Sequence, residues 1–327
     1  MKKDNVTPRE ESITRPMSPM LAPAGWMSRD EAIMGTAIRV ELWHAERAHG
    51  EAAMTAVMEE MHRIDRAMSP FKSESEISRV NRDAARHPVP ISPELYALIM
   101  RSIAFSRLSD GAFDITFASV GGLFDYRHGV KPSDEQIAAA LPGVNYRHLL
   151  LDPEKYTIQF AHNRTQIDLG GIAKGHAVDS CIALLKARGV EHALVMAGGD
   201  SRVLGDKGGR PWMIGIRHPR RDEGMAAVMP LVDAAISTSG DYERFFETEG
   251  VRHHHILDPK TGRSASAVHG VTIVGPDATT TEGLSKIVFV TGTERGLALI
   301  DSLRDVDAVV IDASGGMHYS SGLRHAK

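Results

Sequence analysis

The sequence lacks the features that would indicate a disulfide scaffold, a cysteine-based metal site, a nucleic-acid-binding protein or a membrane-spanning helix. Its 327 residues contain one cysteine, Cys181, which excludes an intrachain disulfide and a zinc site built from cysteines. The net charge of −4 gives no general attraction to a phosphate backbone, so we predict no nucleic-acid partner. No run of roughly 18 apolar residues occurs, so we predict no transmembrane segment. The remaining composition, 42% hydrophobic and 24% charged, is typical of a globular protein.

The first 30 residues differ in composition from the rest of the chain. They are rich in Pro, Ser, Met and charged residues, so we predict a flexible N-terminal arm over 1–30 and a single domain over 31–327. Two lysines near the start have no apolar segment behind them, as a secretory signal requires, and the arm has no cysteine for lipid attachment. For the sequence as it stands, we therefore expect a cytoplasmic protein.

Apolar patterns predict helices and strands without the regular alternation of a parallel α/β fold, and so favour an α+β class. Cys181 lies in an apolar helical pattern, where we expect a small buried hydrophobic residue. The strand signals predict strands at 36–43 and 308–311, a hairpin over 147–160, and several strands of one sheet between 192 and 232. Start and stop signals predict helices at 51–67, 75–81, 92–111, 133–141, 172–188, 280–290 and 294–302.

Two glycine-containing segments are candidate anion sites. The segment 168–175 reads Asp-Leu-Gly-Gly-Ile-Ala-Lys-Gly and leads into a predicted helix. Glycines at a helix N-terminus let backbone N–H groups approach an anion, and Lys174 adds a charge suited to a phosphate. The spacing is not that of a P-loop, and a simple tight turn is the alternative. The second segment, Gly198-Gly199-Asp200, follows an apolar run and fits either a nucleotide contact or a hairpin turn.

Three consecutive histidines, residues 253–255, precede the segment Ile256-Leu257-Asp258-Pro259. On a strand, His253 and His255 would share one face and His254 the other, a poor arrangement for a three-histidine metal site. One histidine acting as a general base beside Asp258 is chemically simpler. The alternative is a surface strand with solvated histidines.

The segment 277–286 reads Asp-Ala-Thr-Thr-Thr-Glu-Gly-Leu-Ser-Lys. If it is helical, Glu282 and Lys286 share a face at i and i+4. The simplest interpretation is one exposed ion pair, which adds little to stability.

The order of these motifs resembles one family, the FAD:protein FMN transferases, also called ApbE-like proteins and formerly thiamine biosynthesis lipoproteins. The resemblance extends from about Met34 to Gly292. Each segment is weak by itself, and seven of them in the expected order indicate kinship. They are Met34-Gly35-Thr36, Met68–Phe71 with Ser75–Asn81, Asp110–Asp114, Asp168–Gly175, Gly198–Asp200, Ser237–Tyr242 and His255–Pro259.

The resemblance implies a mixed, largely antiparallel α+β fold of ApbE-like, T-fold-related architecture. It also implies transfer of FMN from FAD to a Thr or Ser hydroxyl of an acceptor flavoprotein, with AMP released and Mg²⁺ bridging the pyrophosphate oxygens. His255 would be the base that activates the hydroxyl. The residues that would line the FAD site are Met34, Phe71, Ala112, Phe113, Asp114, Asp168, Lys174 and Ile256.

The chain departs from the family at the metal ligands, which usually include a backbone carbonyl, an Asp and a Thr. The carbonyl falls at Gly171, but the other two positions hold Glu282 and Lys286. Glutamate is able to ligate a hard cation, whereas a protonated lysine has no acceptor. Either the metal lies in a different position or it is lost, and in the second case the Lys286 ammonium is the candidate to carry part of its charge.

Two other functions stay open from sequence. An FAD pyrophosphatase, giving FMN and AMP, would use the same site with water in place of the acceptor. A non-catalytic FAD-binding protein is consistent with the altered metal positions. A nicotinamide dehydrogenase is disfavoured because no G-x-G-x-x-G follows a strand in the required context.

Overall fold

The structure, a computed structural model, describes residues 25–220 and 224–324. In these ranges the strands are β1 (Trp26–Ile33), β2 (Thr36–Trp43), β3 (Val89–Pro90), β4 (Leu149–Asp152), β5 (Thr157–Phe160), β6 (Ala193–Ala197), β7 (Asp200–Leu204), β8 (Trp212–Arg217), β9 (Met225–Leu231), β10 (Ala235–Gly240), β11 (Phe245–Thr248), β12 (Val251–His254), β13 (Leu257–Asp258), β14 (Arg263–Ser264), β15 (Val268–Gly275), β16 (Asp307–Asp312) and β17 (Met317–Tyr319). The α-helices are α1 (Arg47–Met68), α2 (Glu76–Asp83), α3 (Pro93–Leu108), α4 (Ala118–Gly121), α5 (Asp134–Ala140), α6 (Ala173–Ala187), α7 (Ala278–Thr291), α8 (Thr293–Asp301) and α9 (Ser321–Arg324). No helix in the described ranges is both long enough and apolar enough to cross a membrane.

The largest sheet has eight strands in the order β1-β2-β6-β7-β10-β15-β16-β17, and every neighbouring pair is antiparallel. A smaller antiparallel sheet has the order β3-β5-β4. The predicted α+β class with largely antiparallel sheets is therefore confirmed.

The first hairpin corrects the predicted arm. β1 begins at Trp26 and pairs with β2 along its whole length, so residues 26–30 are part of the sheet, while residues 1–24 lie outside the described residues. The turn between the strands is Met34-Gly35, and both residues have positive φ (56° and 69°), as in the type I′ turns that suit hairpins. β1 carries charged residues because it is an edge strand with one exposed face, and this polarity hid it from the sequence pattern.

The two faces of the large sheet bury separate cores. On the helix side, the alternating residues Ile38, Val40 and Leu42 of β2 are fully buried against the main core, as the sequence predicts. On the opposite face, Trp212 of β8 packs with residues of β6, β7 and β10. β8 and β9 form their own two-stranded sheet over this face, so the prediction that residues 192–232 all join one sheet is wrong for this hairpin.

Local signals placed most helices well. The side chains of Ser75, Ser92 and Ser133 accept hydrogen bonds from the backbone three residues later and cap α2, α3 and α5, whose starts the sequence predicts to within one residue. Cys181 is fully buried in α6, also as predicted. These agreements reflect signals that act within one turn of helix.

α6 and α7 cap each other, and this arrangement positions the candidate site. The Asp179 carboxylate of α6 accepts hydrogen bonds from the Ala278 and Thr279 N–H groups at the start of α7, each at 2.9 Å. In return, Glu282 Oε2 of α7 accepts a hydrogen bond from Gly175 N in the first turn of α6, at 2.7 Å. Each helix thereby satisfies N-terminal N–H groups of the other that have no partner within their own helix.

Gly175 is required where the two helices cross, because a Cβ built there would lie 2.3 Å from the Ala278 carbonyl oxygen. We expect Gly175→Ala to destabilise the protein by about 1–3 kcal/mol through this overlap, measured by thermal or urea unfolding. Gly122→Ala is the matched control, because its Cβ would be 3.4 Å from its nearest neighbour and its φ of −65° suits alanine. Equal unfolding midpoints for the two variants would contradict this close approach.

Candidate functional site

Four of the segments singled out from sequence meet at the N-terminal end of α6. A Cβ built on Gly171 would lie 3.2 Å from Phe113 Cε2 and 3.6 Å from Lys286 Cγ. Lys286 in turn donates a hydrogen bond to Ser239 Oγ of β10 at 2.6 Å. The segments 110–114, 168–175, 237–242 and 277–286 therefore form one site.

Hydrogen bonds to the backbone at Ile167 and Asp168 hold Asp168 in place. The Asn81 side chain bonds both the N–H and the carbonyl of Ile167, at 2.8 and 2.9 Å, and Asp168 N donates to Ile115 O at 2.9 Å. The Asp168 carboxylate accepts a hydrogen bond from Gly170 N at 2.6 Å. Burial raises the pKa of Asp168. Asn81 is thus a positioning residue, and its motif lies far from 168 in sequence.

Asp114 has a structural role in the described protein. Its Oδ1 accepts hydrogen bonds from Thr116 N and Thr116 Oγ1, at 2.9 and 2.6 Å, and its Oδ2 accepts one from Tyr146 N at 2.7 Å. Burial raises the pKa of Asp114, although these hydrogen bonds oppose the shift. The neighbouring Ala112 and Phe113 are also buried, so this segment forms a wall of the site.

Lys174 joins two buried carboxylates. Its ammonium donates to Asp200 Oδ2 and Glu282 Oε1, and both carboxylates are almost fully buried. Burial opposes the charge of Lys174, but the two carboxylates outweigh this effect and raise its pKa. Burial and the nearby Asp200 raise the pKa of Glu282. The i,i+4 pair of Glu282 with Lys286 that the helix pattern suggests is not formed, because both Glu282 oxygens bond to residues of α6.

Lys286 has a different environment from Lys174. Within the described ranges, its ammonium makes one hydrogen bond, to Ser239 Oγ, and no carboxylate lies within ion-pair distance. Burial and the Lys174 charge lower the pKa of Lys286, while Glu282 and Asp200 oppose this shift. Lys286 is therefore a partly buried cation, and two of its three N–H donors have no acceptor among the described residues.

His255 lies next to these cations, just after the end of β12. Burial, together with the charges of Lys286 and Arg244, lowers its pKa to about 3. Its Nδ1 is buried and has no hydrogen-bond partner in the described part of the chain. The imidazole is therefore neutral, and a nearby anion would have to raise its pKa before it accepts a proton efficiently.

The other two histidines face different charges, although His253 Nε2, like His255 Nδ1, is buried without a hydrogen-bond partner in the described ranges. The His254 ring is buried, and its Nε2 lies 2.6 Å from the Ala265 carbonyl oxygen, whereas the His253 ring packs on Phe246. Among the described residues, no group of three or more His, Cys, Asp or Glu side chains is arranged to hold a metal ion.

Asp258 forms a turn in the structure. Its Oδ1 accepts a hydrogen bond from Lys260 N at 2.9 Å, and its Oδ2 accepts one from Thr261 Oγ1 at 3.3 Å, within the β13–β14 hairpin. No hydrogen bond joins Asp258 to His255 in the described ranges. The preceding Ile256 is 5% exposed and accepts a hydrogen bond from Ala265 N through its carbonyl.

Three further residues, two of them predicted, differ in how exposed they are. Met34 is partly buried in the β1–β2 turn, whereas the Phe71 ring is 89% exposed. Arg244 was missed by the sequence analysis. Its guanidinium donates to the Gly35 carbonyl at 3.5 Å, and its charge acts on both Asp168 and His255. Its one sequence signal is its position two residues after the Ser237–Tyr242 segment.

The donor set at the implied magnesium position does not fit a hard divalent cation. Both Glu282 oxygens already accept hydrogen bonds, one of them from the Lys174 ammonium that bridges to Asp200. The position usually held by a Thr ligand has an ammonium, which offers donors and no acceptor. Besides these two residues, the implied ligand set contains only the Gly171 carbonyl.

Comparisons with known proteins agree on one family. The family model described as the ApbE family matches residues 34–310. The FAD:protein FMN transferase of Treponema pallidum (strain Nichols) is 33% identical, with 90% of this chain and 87% of that protein covered. The crystal structure of the ApbE protein of Thermotoga maritima has a TM-score of 0.85 and 33% identity, covering 91% and 98% of the two chains. The flavin transferase ApbE of Vibrio cholerae has a TM-score of 0.81 and 28% identity, covering 92% and 99%.

Proposed function

Since the chain belongs to the ApbE family, we propose that it is an FAD:protein FMN transferase that takes FAD as its substrate and a flavoprotein as its acceptor. The observation that carries the proposal is His255, a neutral imidazole in the site where Lys286 and the 168–175 turn meet, with one ring nitrogen unpartnered in the described ranges. This is the arrangement needed to activate a hydroxyl beside a bound phosphate.

The transfer is one displacement at phosphorus. The Thr or Ser hydroxyl of the acceptor gives its proton to His255, and the hydroxyl oxygen forms a bond to the phosphorus of the FMN half. The bond from that phosphorus to the bridging pyrophosphate oxygen breaks, and AMP leaves with the electron pair. Positioning and charge neutralisation are the main contributions to such a reaction.

The site residues fall into two groups for FAD binding. We assign direct contact with FAD to the four residues that keep part of their surface accessible, which are Met34, Phe71, Asp168 and Lys174. The more deeply buried residues Ala112, Phe113, Asp114 and Ile256 would shape the walls behind it. We assign Asp258 to closing the β13–β14 turn that follows His255. No step is assigned to a bound metal, because Glu282 and Lys286 do not present a suitable donor set.

Product analysis tests the function directly. We expect the purified protein, incubated with FAD and a Thr-containing acceptor flavoprotein, to raise the acceptor mass by one FMN and release an equal amount of AMP. Intact-mass spectrometry and nucleotide chromatography are the measurements. Free FMN with AMP and an unmodified acceptor would instead show a pyrophosphatase. Intact FAD would show a binding protein, provided that a competent family member modifies the same acceptor in parallel.

A further inference from the structure

The site contains two ammonium groups, and only one of them is matched by carboxylates. Lys174 bonds to both Asp200 and Glu282, so its positive charge is already paired with carboxylates before any ligand binds. Lys286 has no ion-pair partner among the described residues and bonds only to a hydroxyl. An ammonium has three donors, so Lys286 retains two for a bound ligand.

The position of Lys286 determines which part of FAD its charge would meet. Its stem lies against Gly171, in the turn before α6, where the N–H groups of Ile172, Ala173 and Gly175 already have acceptors. An anion at this end of the helix would therefore depend on a side-chain cation. The charge of Lys286 also reaches His255, the proposed base, which must lie near the phosphorus that is attacked. The anion at both places is the pyrophosphate.

We propose that the Lys286 ammonium replaces the divalent cation of the family as the group that neutralises the FAD pyrophosphate. This inference rests on the proposed function, since it concerns the same substrate. Lys286 donates to pyrophosphate oxygens in the bound state, and the negative charge of the ligand keeps it protonated. When the bridging P–O bond breaks, the ammonium stabilises the charge that develops on the departing AMP phosphate.

Equilibrium FAD binding tests this assignment without relying on turnover. The Kd for FAD is measured by flavin fluorescence in excess EDTA and in excess MgCl₂. We expect the same Kd in both conditions for the unmodified protein. Lys286→Met, which removes the charge and keeps most of the apolar stem, is expected to weaken binding roughly 10- to 100-fold. Lys286→Arg, which keeps the charge, is expected to weaken it only about threefold.

The matched control is Lys155→Met, which removes the same charge from a side chain that is 76% exposed in the β4–β5 turn. Its Kd should equal that of the unmodified protein. If Lys286→Met does not fold, Lys286→Gln takes its place, and the comparison of EDTA with MgCl₂ needs no variant.

The outcomes separate this inference from the proposed function. The inference is overturned if FAD binding tightens tenfold or more with Mg²⁺. It is also overturned if Lys286→Met has the same Kd for FAD as the unmodified protein. In either case, the proposed transferase function stands if FMN transfer is still observed. Binding that depends on Lys286 without any transfer overturns the function and leaves the charge assignment intact. Failure to bind FAD in either condition overturns both.

Discussion

Replacing His255 by Gln is expected to lower the rate of FMN transfer by about 10²- to 10⁴-fold, the usual contribution of a positioned general base. Glutamine has a similar reach but does not accept a proton at neutral pH. Because His255 acts on the acceptor hydroxyl, the Kd for FAD should change little. Single-turnover mass spectrometry of the acceptor gives the rate, and flavin fluorescence gives the Kd. His49→Gln, at a side chain that is 66% exposed, is the matched control.

The pH profile distinguishes a base from a structural histidine. In the free protein the pKa of His255 is lowered to about 3, so kcat/KM for FAD should stay level as pH falls from about 8 to about 5. A bound pyrophosphate adds negative charge and raises this pKa, so the acid limb of kcat should lie at higher pH than that of kcat/KM. A rate loss in His255→Gln matched by an equal loss of FAD affinity would show that His255 binds FAD and does not act as the base.

Much of the secondary structure could be predicted from sequence because its signals are local. Ser75, Ser92 and Ser133 each cap a helix within three residues, and Ile38, Val40 and Leu42 alternate along one strand. Such features depend on neighbours in the chain, and the structure confirms them.

Features that depend on distant pairing were harder to predict. β1 carries Ser, Arg, Asp and Glu and becomes a strand because its backbone pairs with β2 through a tight turn. The β8–β9 hairpin alternates much like strands of the large sheet, yet it covers that sheet with Trp212. The spacing of apolar residues alone does not show which sheet a strand joins. It also does not show which face of a sheet another hairpin covers.

The chemistry of the site shows the same division. The sequence identifies Lys174, Glu282 and Lys286 as candidate site residues. It does not identify their hydrogen-bond and ion-pair partners. Helical spacing pairs Glu282 with Lys286, whereas the folded chain bonds Glu282 to Lys174, 108 residues away. A buried glutamate requires a cation and hydrogen-bond donors together, and the first turn of α6 provides both. Arg244 lies two positions after the Ser237–Tyr242 segment, but only the folded structure shows that its charge acts at the site.

The Lys174 cluster provides the prediction with the largest effect on stability. Lys174→Met is expected to destabilise the ligand-free protein by about 3–5 kcal/mol, because Asp200 and Glu282 would be left buried without their shared cation. The thermal midpoint should fall by roughly 5–15 °C. Burial and Asp200 already raise the folded-state pKa of Glu282, and loss of the ammonium raises it further above the unfolded value. The loss should therefore be smaller near pH 5 than near pH 8, because the folded variant takes up a proton.

A second substitution separates this charge effect from simple loss of packing. Lys174→Met/Glu282→Gln removes one of the two stranded carboxylates, so it should recover part of the stability lost by Lys174→Met near pH 8 and show a weaker dependence on pH. The exposed Lys155→Met should change the unfolding free energy by no more than about 0.5 kcal/mol. A Lys174→Met protein as stable as the unmodified chain at both pH values would contradict the ion-pair role. It would mean that Glu282 is already protonated in the folded protein, and that Lys174 serves the ligand alone.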